Sequence, residues 1–252
     1  CMPFGEKAHA RVRPEVVKLS LNGIHSEIST PSGTIHVNSP LIGKLNLYNI
    51  MAAISVGISL KIPLKVIEKG ISKVKSVRGR LEYIRNSLGI KVLIDYAHSP
   101  DALQKVLSDL KAQTKGSLIT VFGCGGDRDR QKRSKMGDIA THYSDLTILT
   151  SDNPRSEEPI KIIEEIEAGI PRHLEKYKLE KDVFRKDRKG YATIPDRKEA
   201  IEKALHLAGR GDLVLLAGKG HEDYQIFSDK TIHFDDREVT LNIIQKRSKE
   251  IA

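Results

Sequence analysis

The chain has 252 residues, 39% hydrophobic and 30% charged, which suits a soluble protein of one large domain or two unequal ones. Its longest apolar stretch, around Ile50 to Leu60, is short and broken by Ser55, Gly57 and Ser59, and Cys1 to Arg13 has no apolar centre, so neither a membrane span nor a signal peptide is expected. The net charge of +9 is spread among acids, the basic stretch Arg185 to Lys189 lacks interleaved aromatics, and Cys1 and Cys124 form no disulfide or metal pattern; a cytoplasmic chain with reduced thiols and no nucleic-acid partner is expected.

Residues 14 to 40 alternate apolar and polar side chains over short runs, Val16, Val17 and Leu19 and then Ile24 and Ile28, broken by Asn22-Gly23 and Pro31-Ser32-Gly33; this predicts hairpins. From Asn46 the period lengthens. Leu47, Ile50, Ile54 and Ile58 recur at helical spacing, and Pro63 opens a second helical stretch through Lys73, so two helices are expected to close a first domain. Val77-Arg78-Gly79-Arg80 separates this regime from the next and is a candidate hinge. From Ile90 the apolar runs Ile90 to Ile94, Leu118 to Phe122, Leu146 to Leu149 and Leu213 to Leu216 alternate with amphipathic segments, the pattern of a doubly wound α/β sheet.

In such sheets ligands bind beyond the carboxyl ends of the strands, so the segments after each apolar run take priority. After Ile94 comes Asp95-Tyr96-Ala97-His98-Ser99-Pro100-Asp101, where Asp95 suits ribose hydroxyls and His98 phosphates, or where Ser99-Pro100-Asp101 simply starts a helix. After Phe122 comes Gly123-Cys124-Gly125-Gly126-Asp127-Arg128-Asp129. A dinucleotide fingerprint beginning at Gly123 would need glycine where Arg128 stands, so an oxidoreductase is disfavoured, while Arg128 offers a fork suited to a carboxylate. After Thr150 comes Ser151-Asp152-Asn153-Pro154-Arg155, complementary to a zwitterionic amino acid, or a capping turn before Glu157 and Glu158. After Ala217 comes Gly218-Lys219-Gly220-His221-Glu222-Asp223, in which Glu222 suits an ammonium group, Lys219 reads as a surface lysine and His221 as a structural partner.

These four segments, in this order, resemble the Mur ligase family, and within it the branch that adds meso-diaminopimelate; the resemblance extends over nearly the whole chain. It implies an α/β fold, a Rossmann-like doubly wound sheet in residues 79–252 preceded by the end of a central ATPase domain in residues 1–78. It also implies that Asp152, Asn153, Pro154 and Arg155 recognise meso-diaminopimelate, with Arg128 on a carboxylate and Gly218 and Glu222 at the amino end. Diaminopimelate exceeds lysine by a distal carboxylate, and Arg155 is a planar, permanent cation suited to one. Gly43-Lys44-Leu45-Asn46-Leu47-Tyr48-Asn49 is similar to the family's adenine-side segment, with Leu45 in place of phenylalanine, and Gly79-Arg80 to its hinge. Asn46, Asn49, Arg80, Asp95 and His98 are therefore the expected nucleotide residues.

The activity implied is ATP-dependent amide-bond formation in peptidoglycan precursor synthesis. ATP with Mg2+ phosphorylates the D-glutamate carboxylate of UDP-N-acetylmuramoyl-L-alanyl-D-glutamate, and the amine of meso-diaminopimelate attacks the acyl phosphate. No protein nucleophile is needed, so no catalytic residue is expected beyond positioning groups and cations. The phosphate loop is not in this sequence: neither Gly43-Lys44 nor Gly218-Lys219 is followed by Ser or Thr. The chain is therefore expected to be a part of a monomeric ligase, inactive alone, with closure carried by residues 79–89. The alternatives are a non-catalytic amino-acid or nucleotide binding module and a related folylpolyglutamate synthase, the latter disfavoured by Asp152 to Arg155.

Overall fold

The first apolar alternation folds as an antiparallel meander of β1 (Arg13–Ser20), β2 (Gly23–Thr30) and β3 (Gly33–Ser39). This is seen in a computed structural model that describes residues 2–178 and 184–251. The hairpin loops are Leu21-Asn22 and Pro31-Ser32, one residue earlier than the sequence suggests at the first turn, because Ser20 pairs with Gly23 and Thr30 with Gly33. Ser20 and Thr30 play the same part. Each hydroxyl donates to a carbonyl three residues on, Gly23 at 3.2 Å and Gly33 at 2.6 Å, and accepts the amide two residues on.

Along β2 and β3 alternate residues turn inward, Ile24, Ser26 and Ile28 and then Ile35, Val37 and Ser39. The helix α1 (Lys44–Ser59) covers them with Leu47, Ile50, Met51 and Ile54, and α2 (Leu64–Lys73) packs on β3 and adds Ile67 and Ile71 to the same core. Each such side chain contributes about 1.5–3 kcal/mol when removed from water. The chain divides into two compact units, Cys1–Val77 and Arg78–Ala252, with the division inside the Val77 to Arg80 segment.

The second unit is built on a seven-stranded sheet of order β4-β5-β10-β6-β7-β9-β8. Its elements, in chain order, are β4 (Glu82–Tyr83), β5 (Lys91–Asp95), α3 (Pro100–Gln113), β6 (Leu118–Phe122), α4 (Gln131–Tyr143), β7 (Leu146–Leu149), α5 (Pro159–Glu167), β8 (Glu175–Lys176), β9 (Gly190–Thr193), α6 (Arg197–Leu207) and β10 (Leu213–Ala217). A hairpin of β11 (Tyr224–Ile226) and β12 (Thr231–His233) and the helix α7 (Asp236–Ile251) follow. Only β4 runs antiparallel to its neighbour; the other six strands are parallel.

The four apolar runs lack polar alternation because parallel strands are covered on both faces; every residue of β6, β7 and β10 is buried. One face, with Val92, Ile94, Ile119, Val121, Ile148, Val214 and Leu216, packs on Ala200, Ile201 and Ala204 of α6 and Ile243 and Ile244 of α7. On the other side α3, α4 and α5 pack in succession. β10 returns between β5 and β6, and this places the segments following β5, β6, β7 and β10 side by side at the carboxyl edge, where crevices form in doubly wound sheets.

Cys124 is a buried free thiol, pushed up to about 12 by burial, while Cys1 lies outside the described residues. Among the described residues no helix is long and apolar enough to cross a membrane.

Candidate functional site

The segment after β5 does two jobs. Ser99 caps α3, its hydroxyl accepting the Ala102 amide at 3.4 Å with Pro100 at the first helical position, so the helix-start reading holds. Asp95 is buried, and its two oxygens accept the amides of Leu81 at 2.8 Å and Ala97 at 2.9 Å. Burial pushes its carboxyl up, and these amides and Arg80 oppose the shift. Beside it, Arg80 lies 4.9 Å from the centre of the Tyr96 ring, which also meets His98 at 4.5 Å and His221 at 5.4 Å. Gly79 holds this corner: at φ 68 it packs so closely on the following loop that a Cβ would lie 2.3 Å from the His221 nitrogen.

The segments after β6 and β7 are bound to one another. Gly126 donates its amide to Asn153 O at 2.9 Å and accepts from Arg155 Nη1 at 2.8 Å, and a Cβ on Gly126 would meet the Pro154 carbonyl at 1.9 Å. Asp127 donates its amide to Glu157 at 2.6 Å and accepts from the Ser156 hydroxyl at 2.6 Å. Arg133 of α4, with no exposed side-chain surface, underpins both segments. Its guanidinium makes two 2.8 Å bonds to Glu157, one of 2.9 Å to Glu165 and one of 3.2 Å to the Gly125 carbonyl. The Arg133 bonds hold Glu157 down at about 2.

Asp152 to Arg155 does not cap a helix, because α5 begins only at Pro159 after Glu158. Arg155 has a left-handed backbone, φ 53, with its amide on Ile226 O at 3.0 Å. Its Nη1 and the aliphatic Cγ of the exposed Arg128 lie 2.8 and 3.8 Å from the point where a Gly125 Cβ would stand, so both side chains pass that glycine. Arg128 itself donates to the Asp127 carbonyl at 2.9 Å.

Across from them Asn153 is buried and bonded at both ends of its amide. Its amide donates to Glu222 Oε2 at 2.8 Å, and its oxygen accepts from Ile226 N at 3.1 Å and from Lys219 Nζ at 3.3 Å. Lys219 also reaches Glu222 Oε2 at 3.2 Å and Asp152 at 3.7 Å. Asp152 is buried and pushed up by that burial, with Arg197 and Lys219 pulling the other way. Gly218, at φ 110, donates its amide to Asp95 O at 3.1 Å, and a Cβ there would lie 2.9 Å from Asp152 Oδ2.

The structure thus brings Arg128, Asp152, Asn153, Pro154, Arg155, Gly218 and Glu222 to one edge of the second unit, with Arg80, Asp95 and His98 in the same unit. Asn46 and Asn49 lie on α1 of the first. Asn46 is buried, donating to Ile42 O at 2.8 Å and accepting from Asn49 Nδ2 at 3.3 Å, while Asn49 is exposed. Lys219 corrects the surface reading: it is fully buried. Its place between two glycines directly after a buried strand was the available signal. Arg133 and Arg197 carried none, since their partners are distant in sequence.

Two family models match the chain: the Mur ligase, glutamate ligase domain over residues 79–220, more than half of the chain, and the Mur ligase middle domain over residues 1–57. A UDP-N-acetylmuramoyl-L-alanyl-D-glutamate–2,6-diaminopimelate ligase from Geobacter sulfurreducens is 49% identical over 236 residues, 93% of this chain and 46% of that protein. A solved structure of a ligase of the same description is 34% identical, with a TM-score of 0.67, over 96% of this chain and 47% of that one. The MurF ligase from Thermotoga maritima, solved in complex with ADP, shares the fold at a TM-score of 0.65 and 16% identity, over 99% of this chain and 49% of that one. The chain spans about half the length of the curated relatives it matches. By the glutamate ligase domain that covers most of its second unit, joined to part of a middle domain, the chain belongs to the Mur ligase family.

Proposed function

We propose that the protein carrying this chain is an ATP-dependent amide ligase that adds meso-diaminopimelate to UDP-N-acetylmuramoyl-L-alanyl-D-glutamate, working as a cytoplasmic monomer. Residues 1–78 are the end of its ATP-binding domain and residues 79–252 its amino-acid domain. The observation that carries the reading is the run Asp152-Asn153-Pro154-Arg155 at a strand end, with the Arg155 and Arg128 side chains both passing Gly125 and Glu222 bonded to Asn153. Two cations suit the two carboxylates of diaminopimelate, and a carboxylate suits an ammonium group.

In this reading Asp152 and Asn153 position and the arginines bind. Arg155 Nη1 is tied to the Gly126 and Asn153 carbonyls, which fixes the plane of the guanidinium and leaves its other nitrogens for a carboxylate. Gly218, having no side chain, leaves room for close approach of the ligand to the backbone. Holding the attacking amine in place is the contribution such a domain makes to an acyl transfer that needs no protein nucleophile.

Toward a nucleotide the second unit offers the exposed Arg80 and His98, with Asp95 for the ribose, and the first unit, taken by itself, offers the exposed Asn49 bonded to the buried Asn46. ATP supplies the phosphoryl group that activates the acceptor carboxylate. Mg2+ enters as the companion of ATP.

The test is ATP-dependent phosphate release by the full-length protein given UDP-N-acetylmuramoyl-L-alanyl-D-glutamate, with diaminopimelate or lysine as acceptor. Release with diaminopimelate alone supports the whole reading; release with lysine as well removes the specificity; no release with either favours a binding module. Arg155→Ala raises KM for diaminopimelate by about 2 kcal/mol, roughly thirtyfold, and leaves KM for ATP unchanged. An equal rise with lysine as acceptor removes the distal carboxylate from Arg155.

A further inference from the structure

We propose that Lys219 is a positioning residue of the amino-acid site, whose buried ammonium divides the two oxygens of Glu222 between the protein and the incoming ligand. This deepens the function proposed above and rests on it. Lysine is among the side chains least often enclosed, because its ammonium is strongly hydrated and its stem flexible. Here it has no exposed surface. The compensation comes from residues of the candidate site: Glu222 Oε2 at 3.2 Å, Asn153 Oδ1 at 3.3 Å, Asp152 Oδ1 at 3.7 Å and the Tyr224 ring 5.5 Å from its centre.

The consequence lies in which oxygen each donor takes. Glu222 Oε2 receives both the Lys219 ammonium and, at 2.8 Å, the Asn153 amide, so this oxygen is turned inward and saturated. Oε1 is met by the Tyr96 hydroxyl at 3.4 Å, a long contact that leaves lone pairs for a further donor. Glu222 therefore offers one oriented acceptor, matched to one ammonium group. Lys219 also offsets the repulsion of Glu222 on Asp152, which acts against ionisation of Asp152. Without it, two carboxylates share a poorly solvated corner, and Glu222 is free to rotate away from Asn153.

A lysine that served only folding would lower stability without separating one substrate from another. The experiment is therefore a kinetic cycle in the full-length ligase with Lys219→Met, Glu222→Gln and both together. Lys219→Met is expected to raise KM for diaminopimelate roughly tenfold to a hundredfold, while KM for ATP stays within about twofold. In the Glu222→Gln background the same substitution is expected to add less than about threefold, because the two residues act through one contact.

Full multiplication of the two effects, or a lower Tm with an unchanged KM for diaminopimelate, overturns the role of Lys219 alone. A wild-type protein with no diaminopimelate turnover overturns the function and this role with it. Should Lys219→Met fail to fold, the 15N signal of the Lys219 ammonium can be followed in the unaltered protein. It is expected to shift on titration with diaminopimelate and on Glu222→Gln; a signal moved by neither rules the proposal out.

Discussion

Arg197 and Lys219 are both fully enclosed cations at the same sheet edge, yet they are held in opposite ways. Arg197 makes two short parallel bonds to Asp236, 2.8 and 2.7 Å, a carboxylate as enclosed as itself, and a third to the Ala217 carbonyl at 3.2 Å. Lys219 shares three longer contacts among three residues, one of which, Glu222, retains exposed surface. A bidentate pair sealed on all sides locks α6 to α7 and to the end of β10. A divided set of longer contacts instead ties the orientations of several site residues to one charge. Enclosure alone does not distinguish a scaffold cation from a site cation; the distribution of its partners does.

Substitutions that remove one partner at a time sharpen the contrast. Arg197→Met strands Asp236 with no exposed surface and is expected to cost about 3–5 kcal/mol in urea unfolding of the second unit. Lys219→Met is expected to cost less, about 2 kcal/mol, because Glu222 can turn to solvent. Equal losses from the two would abolish the distinction.

Arg133 is the intermediate case, enclosed itself but paired with Glu157 and Glu165, whose side chains are 22% and 29% exposed. Glu157→Gln is expected to cost about 1 kcal/mol near neutrality. Because Glu157 is depressed in the fold, its contribution is complete above the unfolded carboxylate value of about 4.3 and is lost as pH falls towards about 2. The gap in urea midpoint between wild type and Glu157→Gln should therefore close across that acid window; a gap independent of pH would mean that the charge of Glu157 contributes nothing to stability.

What could be read from the sequence followed from locality. The four buried strands announced themselves as apolar runs, and the segments after them as polar residues among glycines. The same period reading placed α1 and α2, because Ile50, Ile54, Ile67 and Ile71 lie on faces set by a local repeat. The two-residue strands β4 and β8 are too short to carry a period, and the insertion of β10 between β5 and β6 needs pairings across 122 residues to β5 and 95 to β6. The burial of Lys219 depends on Asn153 in a different segment, and that of Arg197 on Asp236, so neither could be seen from its own neighbours. Asp95 drew notice as a polar residue at a strand end, but its bonds to Leu81 and Ala97 required the fold.

The contact at Gly126 also constrains how this edge moves in time. With its amide on the Asn153 carbonyl and its own carbonyl on the Arg155 guanidinium, Gly126 ties the segment after β6 to the segment after β7, so that separating them breaks both bonds. Arg155, whose own amide is held by Ile226, carries the restraint on to β11. Fluctuations that expose these amides to deuterium thus belong to one cooperative opening event, and Gly126 and Arg155 should exchange at a common rate that rises in parallel when either anchor is weakened.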